Sequence, residues 1–400
     1  MIEVNVRRLS ITVSILATLL ALIGVILGAL WLAAHWDIAP YFPVYPVHPD
    51  LMINGFLTLF IMSVAFLLIP RFRNKRLERI KESYLAAAFI FSGNLLLFAW
   101  SITGTPLNLP ALLLILIGSL IFSFMVISIL RWPSGVLAVA DPYIILSAVF
   151  LPSSLIVRII GETGYGSPAY LSLALLGFPT LMIFGVMTRT VHFRIATLRK
   201  TLVKAAFPLI LISLVINLTI SFYWDSRIFI VSSVLYLVGG LFFVFGVDGL
   251  RVVRSGGQYS RMRERDRVRY DYFSICFAGA MAWLVGGLVL GLLYSFTLYL
   301  GSPVFGLRDG FIHSITVGFM ATTIMAYGPI MLPPLLSSHT PYKGLTLIPV
   351  MLVWAGNLWR VAGFLFRDFL QLSLEINGLS GIPVLIGLLY FLYMTHRLRD

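Results

Sequence analysis

The sequence predicts an all-α polytopic membrane protein of twelve transmembrane helices, and three observations carry that prediction. Only 11% of the 400 residues are charged while 59% are hydrophobic, against about 25% charged in a soluble domain. Mean hydropathy is +0.97. Apolar runs of about 20 residues, the length that crosses a bilayer core, recur along the whole chain. The alternating pattern of a transmembrane barrel is absent. Residues 1–400 therefore read as one twelve-helix domain. Disorder is excluded, and so is a nucleic-acid partner.

The first run, 9–33, follows Arg7 and Arg8. It is too long for a signal-peptide core and lacks a small-residue cleavage site, so it reads as a retained span. The second, 48–69, opens on His48-Pro-Asp and ends at the basic loop 70–83. Spans 84–103 and 109–130 follow, and Arg131 closes that pair. Spans 142–160 and 168–188 come next, then the basic loop 189–204. Spans 203–222 and 228–247 precede the most basic loop, 248–271. The last four spans are 272–300, 309–336, 345–366 and 379–395. No short-period repeat is evident in the sequence.

The net charge of +13 is mostly a topology signal. Of the 29 Lys and Arg residues, 24 fall on the side that holds both termini, four on the other, and Arg360 inside a span. The positive-inside rule then predicts cytoplasmic termini in the cell membrane. The stretch Arg261-Met-Arg-Glu-Arg-Asp-Arg-Val-Arg269 reads either as a solvated loop that sets orientation or as a grip on anionic membrane lipid. Cys276 is the single cysteine, which excludes a disulfide framework and thiolate clusters. Any metal must be held by His, Met or carboxylate.

Topology sorts the six histidines. His35, His48 and His313 fall toward the outer side, and His192, His339 and His396 toward the cytoplasmic side. His48 and Met52, at i and i+4, share a helical face, and Gly55 removes bulk one turn on. Two readings stand side by side. One is an imidazole that binds the metal of a flat ring, with small residues beside it. The other is an interfacial His with a packing glycine. His313 lies inside the tenth span with Thr316 and Gly318 as small neighbours, and an intramembrane imidazole is a functional candidate. Tyr327 lies further along the same span, beyond Thr316 and Thr323, either opening a polar path or closing a packed hydroxyl stripe.

Arg360 sits well inside the eleventh span, where insertion of an Arg costs on the order of 3 kcal/mol without a partner. The sequence shows no acid deep in a span. A bound anion is one partner; snorkelling toward Asp309, Asp368 or the interface is the other reading. Asp37, Asp50, Arg158, Glu162 and Asp309 read more simply as outer loop residues than as site residues.

These residues resemble a known group. A His on span 2, a His on span 10 and an Arg near the outer end of span 11 look like the haem-bearing, heme-copper oxidase subunit I-like bundle. The chain is more similar to the NnrS family of haem- and copper-associated membrane proteins. His48-Pro-Asp-Leu-Met52-Ile-Asn-Gly55-Phe56 resembles its span-2 pattern, and His313-Ser-Ile-Thr-Val-Gly318 its span-10 pattern. Ser338-His339-Thr340-Pro341 and Gly185-Val-Met-Thr-Arg189-Thr-Val-His192-Phe193 resemble two further stretches. The resemblance implies one haem, b-type, ligated by His48 and His313 and held by Arg360, with Met52, Gly55 and Gly318 around it. It implies nitric-oxide response or detoxification, or electron transfer with a quinol or a redox partner subunit. Asp50 and Leu51 replace a His and a Glu of the family pattern, and spans 6 and 7 lack the copper-holding histidines of the oxidases. Copper is therefore weakly supported and oxygen reduction is not expected. The alternative is a twelve-span secondary transporter without haem.

Overall fold

A computed structural model describes residues 2–33, 47–130, 137–160, 167–190, 197–335, 344–367 and 374–397. Among these residues no strand is present, and twelve helices are long and apolar enough to cross a membrane. They are α1 (Asn5–Leu30), α2 (Val47–Phe72), α3 (Ile80–Thr103), α4 (Asn108–Leu130), α5 (Val139–Ile160), α6 (Tyr170–Thr190), α7 (Lys200–Ile220), α8 (Ser226–Gly246), α9 (Glu264–Tyr299), α10 (Phe305–Pro329), α11 (Ile348–Leu365) and α12 (Ile376–Met394). Every predicted span has its helix. Large apolar side chains such as Ile117, Leu120 and Phe124 remain exposed on α4, as a lipid-facing surface requires.

The chain groups into two compact units. One is Met1–Val186 with Leu214–Trp224, the other Met187–Ser213 with Asp225–Asp400. The division passes through α7.

Three spans are far more enclosed than the rest. Of their most apolar stretches, 89% of α2, 94% of α6 and 72% of α10 is buried, against 61% or less elsewhere. The same three helices each widen into a π-helical segment: Leu51–Leu57 in α2, Leu173–Gly177 in α6 and Ser314–Ala321 in α10. Each segment has Gly as its fifth residue, followed by Phe: Gly55-Phe56, Gly177-Phe178 and Gly318-Phe319. Each Gly receives a side chain from the preceding span. A Cβ on Gly55 would lie 2.8 Å from Leu20 of α1, on Gly177 2.9 Å from Phe150 of α5, and on Gly318 2.6 Å from Trp283 of α9. The hydroxyls of Thr58 and Thr180 return to the carbonyls five residues back, Ile53 and Leu175, at 2.9 Å each. π segments of this kind concentrate at functional sites.

The two spans after each enclosed helix form a close hairpin. Gly93 of α3 abuts the Ala111 carbonyl of α4, and Gly118 of α4 abuts the Ala86 carbonyl of α3, at 2.7 Å for an added Cβ in both directions. In α7 and α8, Gly239 meets Ile210 and Gly246 meets Val203. In α11 and α12, Gly356 meets the Ser380 carbonyl and Gly387 the Pro349 carbonyl, again at 2.7 Å. Small residues let helix backbones approach where lipid supplies no hydrophobic drive. The chain is thus a four-span pattern written three times.

Within the first unit, α2 and α5 run antiparallel and are tied at both ends by ion pairs of opposite sense. Asp50 of α2 pairs with Arg158 of α5, and Arg73, just past α2, pairs with Asp141 of α5. Asp50 and Asp141 have no solvent exposure. This corrects the sequence reading of Asp50 and Arg158 as loop residues; both acids lie within the first turn of their spans. Asp50 and Arg158 belong to helices, and each is buried because the other is there.

α9 is 36 residues long, about 54 Å at 1.5 Å per residue, well beyond a hydrocarbon core of about 30 Å. Its arginine-bearing start is exposed. There Asp266 serves Arg263, Arg265 and Arg269 at 3.1, 3.7 and 3.6 Å. Tyr259 docks the preceding loop by donating to both carboxylate oxygens of Asp271 at 3.1 and 3.0 Å.

Candidate functional site

His48 occupies the first turn of α2, directly ahead of the π segment. Its Nδ1 lies 2.7 Å from the Gly24 carbonyl of α1. The ring rests against Gly28, where a Cβ would come 2.5 Å from Nδ1, and Met52 rests against Gly24, 2.8 Å from Sδ to an added Cβ. The i, i+4 pair on α2 therefore fits an i, i+4 pair of glycines on α1. Gly24-x-x-x-Gly28 is a small-residue packing motif that stood in the sequence unread.

Two residues further on, Asp50 accepts from both guanidinium amines of Arg158, the Nη2 to Oδ2 bond measuring 2.9 Å. Asn54 Nδ2 donates to Asp50 Oδ1 at 2.7 Å. Arg158 also lies over the Tyr170 ring, 5.8 Å from its centroid. This neutralised cluster fixes the start of α2 to α5 and α6.

His313 ends the α-helical opening of α10, at the junction with its π segment. Its Nδ1 is 3.0 Å from the carbonyl of Asp309 and 3.3 Å from the Oδ2 of the same residue. Arg360 of α11 grips that carboxylate with two bonds, Nε to Oδ2 and Nη2 to Oδ1, each 2.9 Å. The guanidinium also covers Phe364 at 4.6 Å. Of the two partners the sequence allowed for Arg360, the structure supplies Asp309. His313, Asp309 and Arg360 thus form one chain of contacts across α10 and α11. The i, i+4 spacing of Asp309 and His313 was the available signal, obscured because Asp309 read as a loop residue.

His48 and His313 both lie in the opening of the enclosed second span of a four-span set, but at different stations, seven and five residues before the Gly of their π segments. The middle set has Tyr170 and Ser172 there instead. Gly55 and Gly318 have their bare faces filled by Leu20 and Trp283. Below His313, Thr316 and Thr323 donate to carbonyls of their own helix, Ile312 at 2.8 Å and Phe319 at 2.7 Å. Tyr327 meets Thr190 at 2.6 Å. These hydroxyls are a packed stripe, each closed on a local partner. Trp354 Nε1 donates to Thr322 at 2.9 Å and joins α11 to α10 one further level down.

No protein-family model and no curated protein matches the chain. Among the described residues, no group of three or more His, Cys, Asp or Glu is placed to hold a metal ion. His35, His192, His339, Asp37, Glu162 and Asp368 lie outside the described residues, as do Ser338–Pro341 and Phe193 of the resembling stretches. Gly185, which opens the stretch that ends at Phe193, packs against Ile144 and the Ala140 carbonyl.

A planar ligand held by imidazole needs a ring nitrogen with its lone pair outward and the other nitrogen fixed by a hydrogen bond. Both histidines have the second feature, since Nδ1 faces a backbone carbonyl in each. A neutral ring that donates through Nδ1 carries its lone pair on Nε2. The residues present therefore suit an axial-ligand role.

Proposed function

We propose that this chain is a haem-binding integral membrane protein of the cell membrane, with both termini cytoplasmic. The resemblance assigns His48 and His313 as the axial ligands of one b-type haem toward the outer face. Its role is nitric-oxide response or detoxification, or electron transfer with a quinol or a redox partner subunit. The observation that supports this reading is the setting that the two histidines share. Each opens an enclosed, π-widened span, and each rests its Nδ1 on a carbonyl (Gly24 and Asp309). The likeness to NnrS and heme-copper oxidase subunit I-like patterns points the same way.

When bound, such a haem supplies a one-electron couple and, where one imidazole leaves, a place for a diatomic gas. The chain's own part is to hold and tune it. Nε and Nη2 of Arg360 face Asp309, so Nη1 is the amine left for a haem propionate. Met52 stands one turn beyond His48, against Gly24. Copper has no further support.

The test is the absorption spectrum of the purified protein, oxidised and dithionite-reduced. A sharp low-spin reduced spectrum is expected. His48→Ala or His313→Ala should lose the haem or leave it high-spin and open to carbon monoxide. His35→Ala, His192→Ala, His339→Ala and His396→Ala should do neither. Loss of the low-spin signal in His35→Ala alone would sink the ligand assignment.

A twelve-span secondary transporter is the second reading, and one observation favours it. Asp50, Asp141 and Asp309 lie in the opening turns of their spans, each paired with an arginine, and such transporters use carboxylates with interrupted helices. Haem-free purified protein would turn the assignment that way.

A further inference from the structure

We infer that Asp309 and Arg360 are positioning residues that set the donor strength of His313, and through it the reduction potential of the haem. This rests on the haem reading above. The Nδ1–H of His313 donates to the Asp309 carbonyl at 3.0 Å, and Oδ2 of the same residue lies 3.3 Å from that nitrogen. Asp309 is one helical turn before His313, so the helix itself holds the carboxylate beside the ring. Arg360 fixes both carboxylate oxygens from α11 at 2.9 Å, and Phe364 braces the guanidinium at 4.6 Å. Asp309 cannot swing away without breaking two charge-assisted bonds in a low-dielectric layer.

A carboxylate held beside an imidazole stabilises positive charge on the ring and makes Nε2 the stronger donor. A metal on Nε2 then meets a stronger donor, which favours the oxidised state. Arg360 works against this. Its positive charge offsets that of the carboxylate. The two residues therefore pull the potential in opposite directions, which residues that only hold the fold together would not do.

The experiment is spectroelectrochemistry of the full-length protein in detergent, with haem content measured first. Asp309→Asn should raise the midpoint potential. Arg360→Leu should lower it. Asp309→Glu, which keeps the carboxylate, should stay closer to the wild-type value than Asp309→Asn. Should a single variant not be recoverable, the double variant Asp309→Asn/Arg360→Gln keeps hydrogen-bonding groups without either charge, and it should titrate below Asp309→Asn and above Arg360→Leu, whichever of the two is recovered. Variants that retain haem and share the wild-type potential overturn this inference and leave the haem reading intact. So do shifts of the same sign in Asp309→Asn and Arg360→Leu. A wild-type protein without haem overturns both. A haem whose spectrum survives His313→Ala overturns the ligand assignment and this inference with it.

Discussion

Asp50 is a carboxylate with no solvent contact inside a membrane helix, and its partners account for how it is tolerated. Arg158 supplies two bonds and Asn54 a third. A buried pair of this kind adds little net stability over an apolar pair, but breaking it is costly because one charge is left uncompensated. Asp50→Leu should therefore destabilise the protein by about 3–5 kcal/mol. The double variant Asp50→Leu/Arg158→Met should recover most of that. Thermal unfolding in detergent reads the difference, and equal loss in single and double variants would refute the account. The same logic extends to Arg360, which the sequence left between a bound anion and a carboxylate. Arg360→Leu should lower stability through Asp309, and adding Asp309→Leu should restore stability without restoring haem retention.

At the scale of the element, glycines separate by what faces them. A Cβ on Gly93 would press on the Ala111 carbonyl, which is backbone and cannot move aside; on Gly240 it would press on the Leu288 methyl, which can. Gly93→Ala should cost roughly 1–3 kcal/mol, the usual range for overpacking, and Gly240→Ala clearly less, both read as thermal shifts. The helices were legible in the sequence because a hydrocarbon core demands about 20 apolar residues whatever the packing. The π segments were not. A hydrogen bond to the fifth rather than the fourth preceding carbonyl leaves no mark on composition. The Gly-Phe pairs at 55, 177 and 318 were visible as letters. They gain meaning only when each glycine proves to be the fifth residue of a widened turn that admits a side chain from the helix before. The histidines were legible because imidazole inside a span is rare. Their supports were less so: Gly24 and Gly28 looked like ordinary span glycines, and Asp309 looked like loop.

For the whole molecule, the basic loops carry the orientation. Cysteine labelling should find 70–83 and 255–268 cytoplasmic and 221–225 outside; access to both basic loops from outside would reverse the assignment. The paired clamps between α2 and α5 bear on how the chain is made. Arg73 leaves the ribosome 68 residues before Asp141 and Asp50 108 residues before Arg158, gaps of roughly 3–20 seconds at about 5–20 residues per second. For that interval the nascent second helix holds an acid at one end and a base at the other, with neither counter-ion yet synthesised. It is an incomplete substrate for the lipid until the fifth helix arrives, and the insertion machinery must shelter it. A chain cut at residue 130 should be cleared quickly by membrane proteases in pulse-chase. One that runs through α6 should persist longer, and Asp50→Leu/Arg73→Leu should lengthen the life of the shorter one. Quality control of this protein would then read the charge pairs themselves, rejecting any chain whose second helix never met its fifth.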